Sequence, residues 1–444
     1  MPTEPTPDPA SADELVEIFK RAADGVPVPT AQLVAGGLER GRARRRRRTA
    51  LAGAVAALAL STAGAMVVNG LSNPPITTSR ALDLAAQSSP QSSQTTPARL
   101  DKAVNVLLIG LDSRKDLAGN ELPEQFVRDQ LRAGSSADGG YNTDTLLLLH
   151  IPADGGQVSG VSIPRDDYVQ TYGVDGTNGA AAGPMDKISF TYGMAMAATQ
   201  AKLAGRGLSA SQLEQQGREA GRAATLATVQ NLLGVQIDHF AEVDLASFYD
   251  IAQTIGPVQV CLKHAVSDPV RQGAGSGADF PAGVSSLNAA DALAFVRQRH
   301  NLPNGDLDRI KRQQAFLAAV RTKLAKAGVL ADLGKLQGLL GAVQKDVVID
   351  DRWSVLDFLR QVPNLTGGEV RYSTLPIDGY ETTKGMEVNL VDPAKAKALV
   401  QTLFTPQQAA AGAGPTDPGG GGGTGAPTGQ ADTTPQAGSL ACVD

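Results

Sequence analysis

The sequence predicts an α/β or α+β fold in three layers, a sheet with helices on both faces, because short apolar runs alternate with helical patterns. Val104 to Leu111, Thr145 to Ile151 and Val158 to Ile163 are continuous apolar runs of the length and kind that form strands buried on both faces. Phe240 to Asp244, Val258 to Leu262, Glu369 to Pro376 and Met386 to Leu390 add further strands. Helical patterns lie between them at Ser189 to Leu203, Ser209 to Leu233, Leu245 to Thr254, Ala289 to Val296 and Leu307 to Lys326, then at Ser354 to Gln361 and Pro393 to Leu403. No period of about 20 to 50 residues is visible, which argues against a repeat architecture.

Composition bounds the rest. With 444 residues and 42% hydrophobic content, the chain can bury a sizeable core. Its 49 glycines and 26 prolines exceed the usual share and point to low-complexity segments outside that core. A net charge of −5 argues against a basic nucleic-acid coat, so no nucleic-acid partner is expected. Two cysteines and four histidines are too few for a zinc finger or a disulfide-dense small fold.

The amino-terminal part sets the expected compartment. Residues 39 to 48 read ERGRARRRRR, with seven arginines, and no charged side chain follows from Thr49 until Arg80. An apolar helix over 49 to 71 is long enough to cross a bilayer, and the arginine flank places its start in the cytoplasm. A buried core helix, or a cleavable signal with Ala63-Gly64-Ala65 as its small-residue site, are the alternatives. The expected organisation is therefore a disordered cytoplasmic tail over 1 to 48, a transmembrane helix over 49 to 71 and an extracytoplasmic tether over 72 to 100. A folded body over 101 to 404 and a flexible Gly/Pro-rich tail over 405 to 444 complete it.

Charged residues cluster where strands end, which is where α/β folds place ligands. The first strand runs into Asp112-Ser113-Arg114, the second begins at Asn142-Thr143-Asp144, and the third ends in Pro164-Arg165-Asp166-Asp167. Carboxylates at such positions suit a hard cation such as Mg²⁺, although one alone would read as a turn residue. The segment FVRQRHNLPNGDLDRIKRQQ, residues 295 to 314, is more informative. If the helix ends near Val296 and the chain continues extended, Arg297 and Arg299 face one side. Asp306 then suits an N-cap, and Asp306, Arg309 and Gln313 share one helical face. Two sets of arginine forks on one short segment match a phosphate or pyrophosphate. A solvated, salt-bridged helix face is the plainer reading; it accounts for Lys311 and Arg312 but poorly for the Arg-x-Arg pair.

The blocks LLIGLDSR, NTDTLLLLHIPADGGQVSGVSIPRDDYV, DKISFTYG and FPAGVSSLNAADALAFVRQRHNLPNGDLDRIKRQQAF resemble the LytR–CpsA–Psr family of bacterial envelope proteins, in its actinobacterial form. The resemblance runs from about Val104 to Val320. It implies a three-layer α/β/α sandwich around a central mixed sheet, anchored by one N-terminal transmembrane helix with the catalytic domain outside the cell membrane. It also implies an enzyme, a Mg²⁺-assisted phosphotransferase. Such a protein moves a glycopolymer, such as teichoic acid, arabinogalactan or capsule, from a polyprenyl-pyrophosphate carrier to peptidoglycan. Position by position, the resemblance assigns Asp112 and Asp144 to the metal. Arg165, Arg297, Arg299, Arg309, Gln313, Lys187 and Arg114 become pyrophosphate contacts, with Asp306 orienting the arginines. Asp166 and Asp306 are the candidate bases. The spacer of 31 residues between Asp112 and Asp144 is longer than the family's compact form, with LPEQFVRDQLR as a helical insertion.

Two other functions fit parts of the sequence. With water in place of a sugar hydroxyl, the same site would hydrolyse lipid pyrophosphates. A membrane signalling or transcription-attenuating protein would need a cytoplasmic effector domain, which 48 residues do not supply. Finally, Cys261 closes the strand PVQVCL, while Cys442 sits in an apolar LACV after a glycine-rich tract. Both are expected outside the membrane, where thiols oxidise, and a Cys261–Cys442 disulfide is expected.

Overall fold

A computed structural model describes residues 76–86, 102–135, 140–153, 156–176, 181–271, 275–330, 332–355, 370–405 and 441–444. In chain order the elements begin with β1 (Thr77–Ser79), α1 (Ala81–Ala86), β2 (Val104–Asp112), α2 (Glu124–Asp129), β3 (Asn142–Ile151), β4 (Ser159–Ile163), β5 (Asp167–Tyr172) and β6 (Ala182–Lys187). Then come α3 (Thr191–Leu203), α4 (Ala210–Leu233), β7 (His239–Asp244), α5 (Leu245–Ile255), β8 (Val258–Leu262), β9 (Val266–Asp268), β10 (Ala278–Phe280) and β11 (Gly283–Leu287). The last are α6 (Ala289–Arg297), α7 (Asp306–Lys326), α8 (Leu333–Val343), β12 (Val348–Asp350), β13 (Arg371–Thr374), β14 (Gly379–Thr383), β15 (Met386–Leu390), α9 (Pro393–Phe404) and β16 (Cys442–Val443).

Seven strands form the central mixed sheet in the order β1-β12-β7-β2-β3-β4-β13. Strand β3 is antiparallel to both neighbours, β2 and β4, whereas β2 runs parallel to β7. Alternate residues of β2 feed two cores. Val104 and Val106 face a core shared with α5, α6, α7 and α8. Leu107 and Ile109 face the other, filled by Leu226 and Val229 of α4 and by Ala396 and Val400 of α9. Two apolar faces on one sheet produce the three layers.

Local chemistry sets where the helices start. Ser209 and Gln212 form a capping box ahead of α4, and Asp244 and Asn288 accept N–H bonds at the heads of α5 and α6. Gly234, with φ of 67°, ends α4 in the left-handed conformation that glycine tolerates best.

The segment expected to be a tether is partly built into the fold. β1 pairs parallel with β12, and Ala81, Leu82 and Ala85 of α1 are buried in the α4 layer. Ser79 Oγ donates to Glu219 at 2.8 Å. Composition hid this because six residues of helix suffice once a formed sheet and α4 accept them. The far end behaves alike: β16 pairs parallel with β8, and Cys261 and Cys442 are disulfide-bonded with Cα atoms 4.3 Å apart. No helix among the described residues is long and apolar enough to cross a membrane. The stretches expected as cytoplasmic tail and transmembrane helix, 1 to 48 and 49 to 71, lie outside those residues, as do most of the helix expected at Ser354 to Gln361 and residues 406–440.

Two outcomes are expected. A non-reducing peptide map of the exported protein should link Cys261 to Cys442, and Cys442→Ser should cost about 2 kcal/mol of unfolding free energy; free thiols at both positions would refute the link. His150 is buried, donates from Nδ1 to Asn105 Oδ1 at 2.8 Å and stacks on Phe404. Burial pulls its pKa down to about 4. The unfolded chain, with a histidine near pKa 6.5, therefore binds the proton first. Stability should fall as pH drops from about 6.5 to about 4, and denaturation of His150→Phe should lack that component. An unchanged pH profile in the variant would contradict this.

Candidate active site

The charged residues gather at one end of the sheet because of strand direction. β2 and β4 both run antiparallel to β3, so their final residues meet the first residues of β3. Arg114 follows β2, Arg165 follows β4, and Asp144 is the third residue of β3. α6 ends at this place and α7 starts there, delivering Arg297, Arg299, Asp306 and Arg309.

Asp144 owes its position to a bulge. Gly110 pairs with Thr145 and Leu111 with Thr143, so Asp144 is the extra residue on β3. A bulge re-aims the side chain it carries. Glycine at 110 permits the close approach, since a Cβ there would lie 2.9 Å from the Thr145 Cβ. One Asp144 oxygen accepts from Arg165, and the other lies 3.6 Å from Arg309. Arg309 also donates to the Asp144 backbone carbonyl at 3.3 Å. Burial alone would raise the Asp144 pKa, but Arg309, Arg165, Arg299 and Arg297 together hold it below its ordinary range. The group is an anion pinned between cations.

The other residues divide into anchored and free. Lys187 Nζ donates to Asp166 Oδ1 at 2.7 Å, and Arg165 Nε is 3.8 Å from the same oxygen. Arg114 donates from Nε to Ala133 O at 3.1 Å and pairs with Asp112 at 3.1 Å. Arg297 donates to Leu131 O at 2.9 Å. The insertion between β2 and β3, which carries the short helix α2, thus fixes two arginines through its backbone. Gln313 Nε2 donates to Val296 O at 3.3 Å, tying α7 to the end of α6. Arg299 alone is exposed and makes no hydrogen bond or ion pair among the described residues. Partial desolvation of its guanidinium lowers its pKa, as do the nearby charges of Arg165 and Arg309, against the pull of Asp144 and Asp166.

Asp306 is not the N-cap. Gly305, with φ of 52°, takes that place without a side-chain bond, and Asp306 is the first helical residue, its carboxylate paired with Arg309 one turn on. The pairing to a buried guanidinium outcompetes capping. Burial raises the Asp306 pKa, Arg309 opposes this, and the neighbouring Asp166 adds to it.

The fit to Mg²⁺ follows from the donors. Asp112 and Asp144 lie on adjacent antiparallel strands, and Asp112 Oδ1 is buried, with the Arg114 guanidinium 3.1 Å away but no hydrogen bond. No group of three or more His, Cys, Asp or Glu side chains is placed to hold a metal ion among the described residues. Mg²⁺ often takes only one or two carboxylates and fills its shell with water and substrate phosphate, so the pair fits that mode.

Arg312 departs most from the sequence reading. Placed there on a solvated helix face, it is 0% exposed and donates to Gln298, also 0% exposed. Its spacing from Arg309, i to i+3, held the only hint. Lys311, 38% exposed and 3.7 Å from Asp308, does lie on a solvated face.

The LytR_cpsA_psr family model matches residues 76–405, and the chain belongs to that family. The cell wall biosynthesis protein LcpA of Corynebacterium glutamicum is 40% identical over 304 residues, 68% of this chain and 55% of LcpA. The chain thus spans about half the length of that relative. A polyisoprenyl-teichoic acid–peptidoglycan teichoic acid transferase, TagU of Bacillus licheniformis, is 27% identical over 56% of this chain and 69% of its own. Among solved structures, a Streptococcus agalactiae protein superposes with a TM-score of 0.50 and 18% identity, covering 72% of this chain and 93% of that one. That likeness concerns the fold alone.

Stability should separate free from anchored arginines. Arg299→Ala should leave unfolding free energy unchanged or slightly raised, because it removes only a repelled cation. Arg165→Ala should cost about 2 kcal/mol, because it strips a partner from the Asp144 carboxylate. Denaturant midpoints measure both; equal losses would contradict the distinction.

Proposed function

We propose, from membership of this family and from the charge of the site, that the protein is a phosphotransferase. It would move a glycopolymer from a polyprenyl-pyrophosphate carrier to peptidoglycan, outside the cell membrane and held there by the apolar segment 49 to 71. The observation that carries the reading is the charge balance. Six cations, Arg114, Arg165, Lys187, Arg297, Arg299 and Arg309, face four carboxylates, Asp112, Asp144, Asp166 and Asp306, an excess of two positive charges, and Arg299 makes no hydrogen bond or ion pair among the described residues. A pyrophosphate diester carries two negative charges and supplies what the site lacks. The names of the relatives, a cell wall biosynthesis protein and a teichoic acid–peptidoglycan transferase, support the same substrate class.

The chemistry follows from those charges. Anionic oxygens on a pyrophosphate repel a nucleophile, and guanidinium groups aimed at them lower that barrier. An acceptor hydroxyl oxygen bonds to the glycan-side phosphorus as the bond from that phosphorus to the bridging oxygen breaks. Lipid phosphate leaves with the bridging oxygen, where Arg299 and Arg165 meet the growing charge. The hydroxyl proton passes to a carboxylate. Asp306 is engaged by Arg309 and Asp166 by Lys187, and the raised pKa of Asp306 makes it the stronger acceptor of the two. Asp112 and Asp144 would hold Mg²⁺, which would neutralise phosphate oxygens further.

The test is to incubate purified protein with a lipid-linked glycan donor, with and without peptidoglycan fragments. Transfer predicts glycan joined to peptidoglycan through phosphate and release of lipid phosphate; free phosphoglycan formed equally without acceptor would mean hydrolysis. Arg299→Ala should lower kcat/KM about a hundredfold, the scale of one lost preorganised donor. Chelation should suppress turnover and added Mg²⁺ restore it; turnover indifferent to chelator removes the metal from Asp112 and Asp144.

A further inference from the structure

Among the described residues, Arg299 is the one cation of the site whose side chain makes no hydrogen bond or ion pair, so its direction must come from the backbone that carries it. Gln298 and His300 flank it. At Gln298 the chain leaves α6 with φ of −54° and ψ of 134°, while its N–H still donates to Ala294 O at 3.1 Å. The buried Gln298 amide then bridges across the arginine. Nε2 donates to His300 O at 3.0 Å, beyond Arg299, and Oε1 accepts from Arg312 at 2.6 Å. Arg312 is itself fixed: its Nε donates to the Asp444 carbonyl, and its guanidinium lies 5.1 Å from the Phe295 ring centre. On the other side, His300 Nδ1 meets Asp268 at 2.9 Å and Asn301 donates to Ser267 O at 2.8 Å, so the segment is pinned before and after Arg299.

We infer that Gln298 and Arg312 are positioning residues: their buried bond sets the bend of the backbone between α6 and α7 and thereby aims Arg299 at the substrate's pyrophosphate. Neither side chain touches that group. A buried amide with both ends bonded and a buried guanidinium that meets it form a strut, and the strut joins the carrier of Arg299 to the helix that carries Arg309. Burial pulls the Arg312 pKa to about 10, against the pull of Asp308, Asp444 and Asp268, so the guanidinium stays charged and needs its partners. The inference rests on the pyrophosphate reading of the site.

The experiment is a double-mutant cycle on the full chain in detergent, with inorganic pyrophosphate as the probe and titration calorimetry as the readout. Arg299→Ala should weaken binding by about tenfold to a hundredfold, the range for hydrogen bonds to charged groups. Gln298→Ala should weaken it nearly as much, with the double variant within about threefold of Arg299→Ala alone. Gln298→Ala combined with Arg165→Ala should instead multiply, because Arg165 is aimed by Asp144. General loosening of the fold would multiply with both, and that result, or wild-type binding by Gln298→Ala, overturns the inference. Should Gln298→Ala fail to fold, Arg312→Lys, which keeps the charge and loses the fork, takes its place in the same cycle. If Arg299→Ala binds pyrophosphate as the parent does, the pyrophosphate reading fails first and the inference falls with it; multiplicative losses remove the positioning role alone.

Discussion

The structure of this site depends on one carboxylate. Asp144 stands out of the β2–β3 ladder at a bulge and takes Arg165 from one side and Arg309 from the other. Arg309 is 2% exposed and Arg165 9% exposed, so each brings a charge into low-dielectric surroundings at a cost that only a close anion offsets. Without Asp144, the end of β4 and the head of α7 would lose the one anion they share, leaving Arg309 to Asp306 and Arg165 to the more distant Asp166. With it, they converge. Gly110 belongs to the same constraint, because its missing Cβ is what lets Thr145 close beside the bulge.

From that point the supports spread outward. Backbone carbonyls of the insertion hold Arg114 and Arg297, Lys187 holds Asp166, and Asp306 holds Arg309. Each of these fixes a group by giving it a partner within the protein. The exception is Arg299, which keeps its hydrogen-bonding capacity for something else. A surface arginine with no partner is ordinary; one set among Arg165, Arg309 and Asp144 is the group that the proposed pyrophosphate would meet.

The sequence was legible where burial enforces periodicity. The apolar runs at Val104, Thr145 and Val158 became β2, β3 and β4 almost residue for residue, and the long helices followed their caps. The segments missed include β5, β6, β11, β14 and the eleven-residue α8, and also short strands whose structure comes from neighbours. β1, β9, β10 and β12 have three residues each and carry too few side chains to show a period. Thr77–Ser79 and Cys442–Val443 sit in stretches of polar or glycine-rich composition and are strands only because an edge strand accepts them. At the site, residue type and spacing brought the cations to one place, but not their division of labour. Arg297 and Arg299 are two apart in sequence, yet one is tied to Leu131 O and the other has no hydrogen-bond partner among the described residues, and only the fold of a distant insertion separates them. Arg312 was hidden for a related reason: burial of a charge is decided by what lies over the helix, here Gln298, Phe295 and the Asp444 carbonyl.

Recognition of a lipid-linked pyrophosphate by the cationic end of the sheet is the proposal on which the rest turns. The most direct measurement is mass spectrometry of the lipid extracted from protein purified out of its own membrane, compared with the same extract from Arg299→Ala. The account predicts a polyprenyl pyrophosphate bearing a glycan in the parent and a large loss of it in the variant. A lipid without a pyrophosphate, or equal recovery from both proteins, would contradict it.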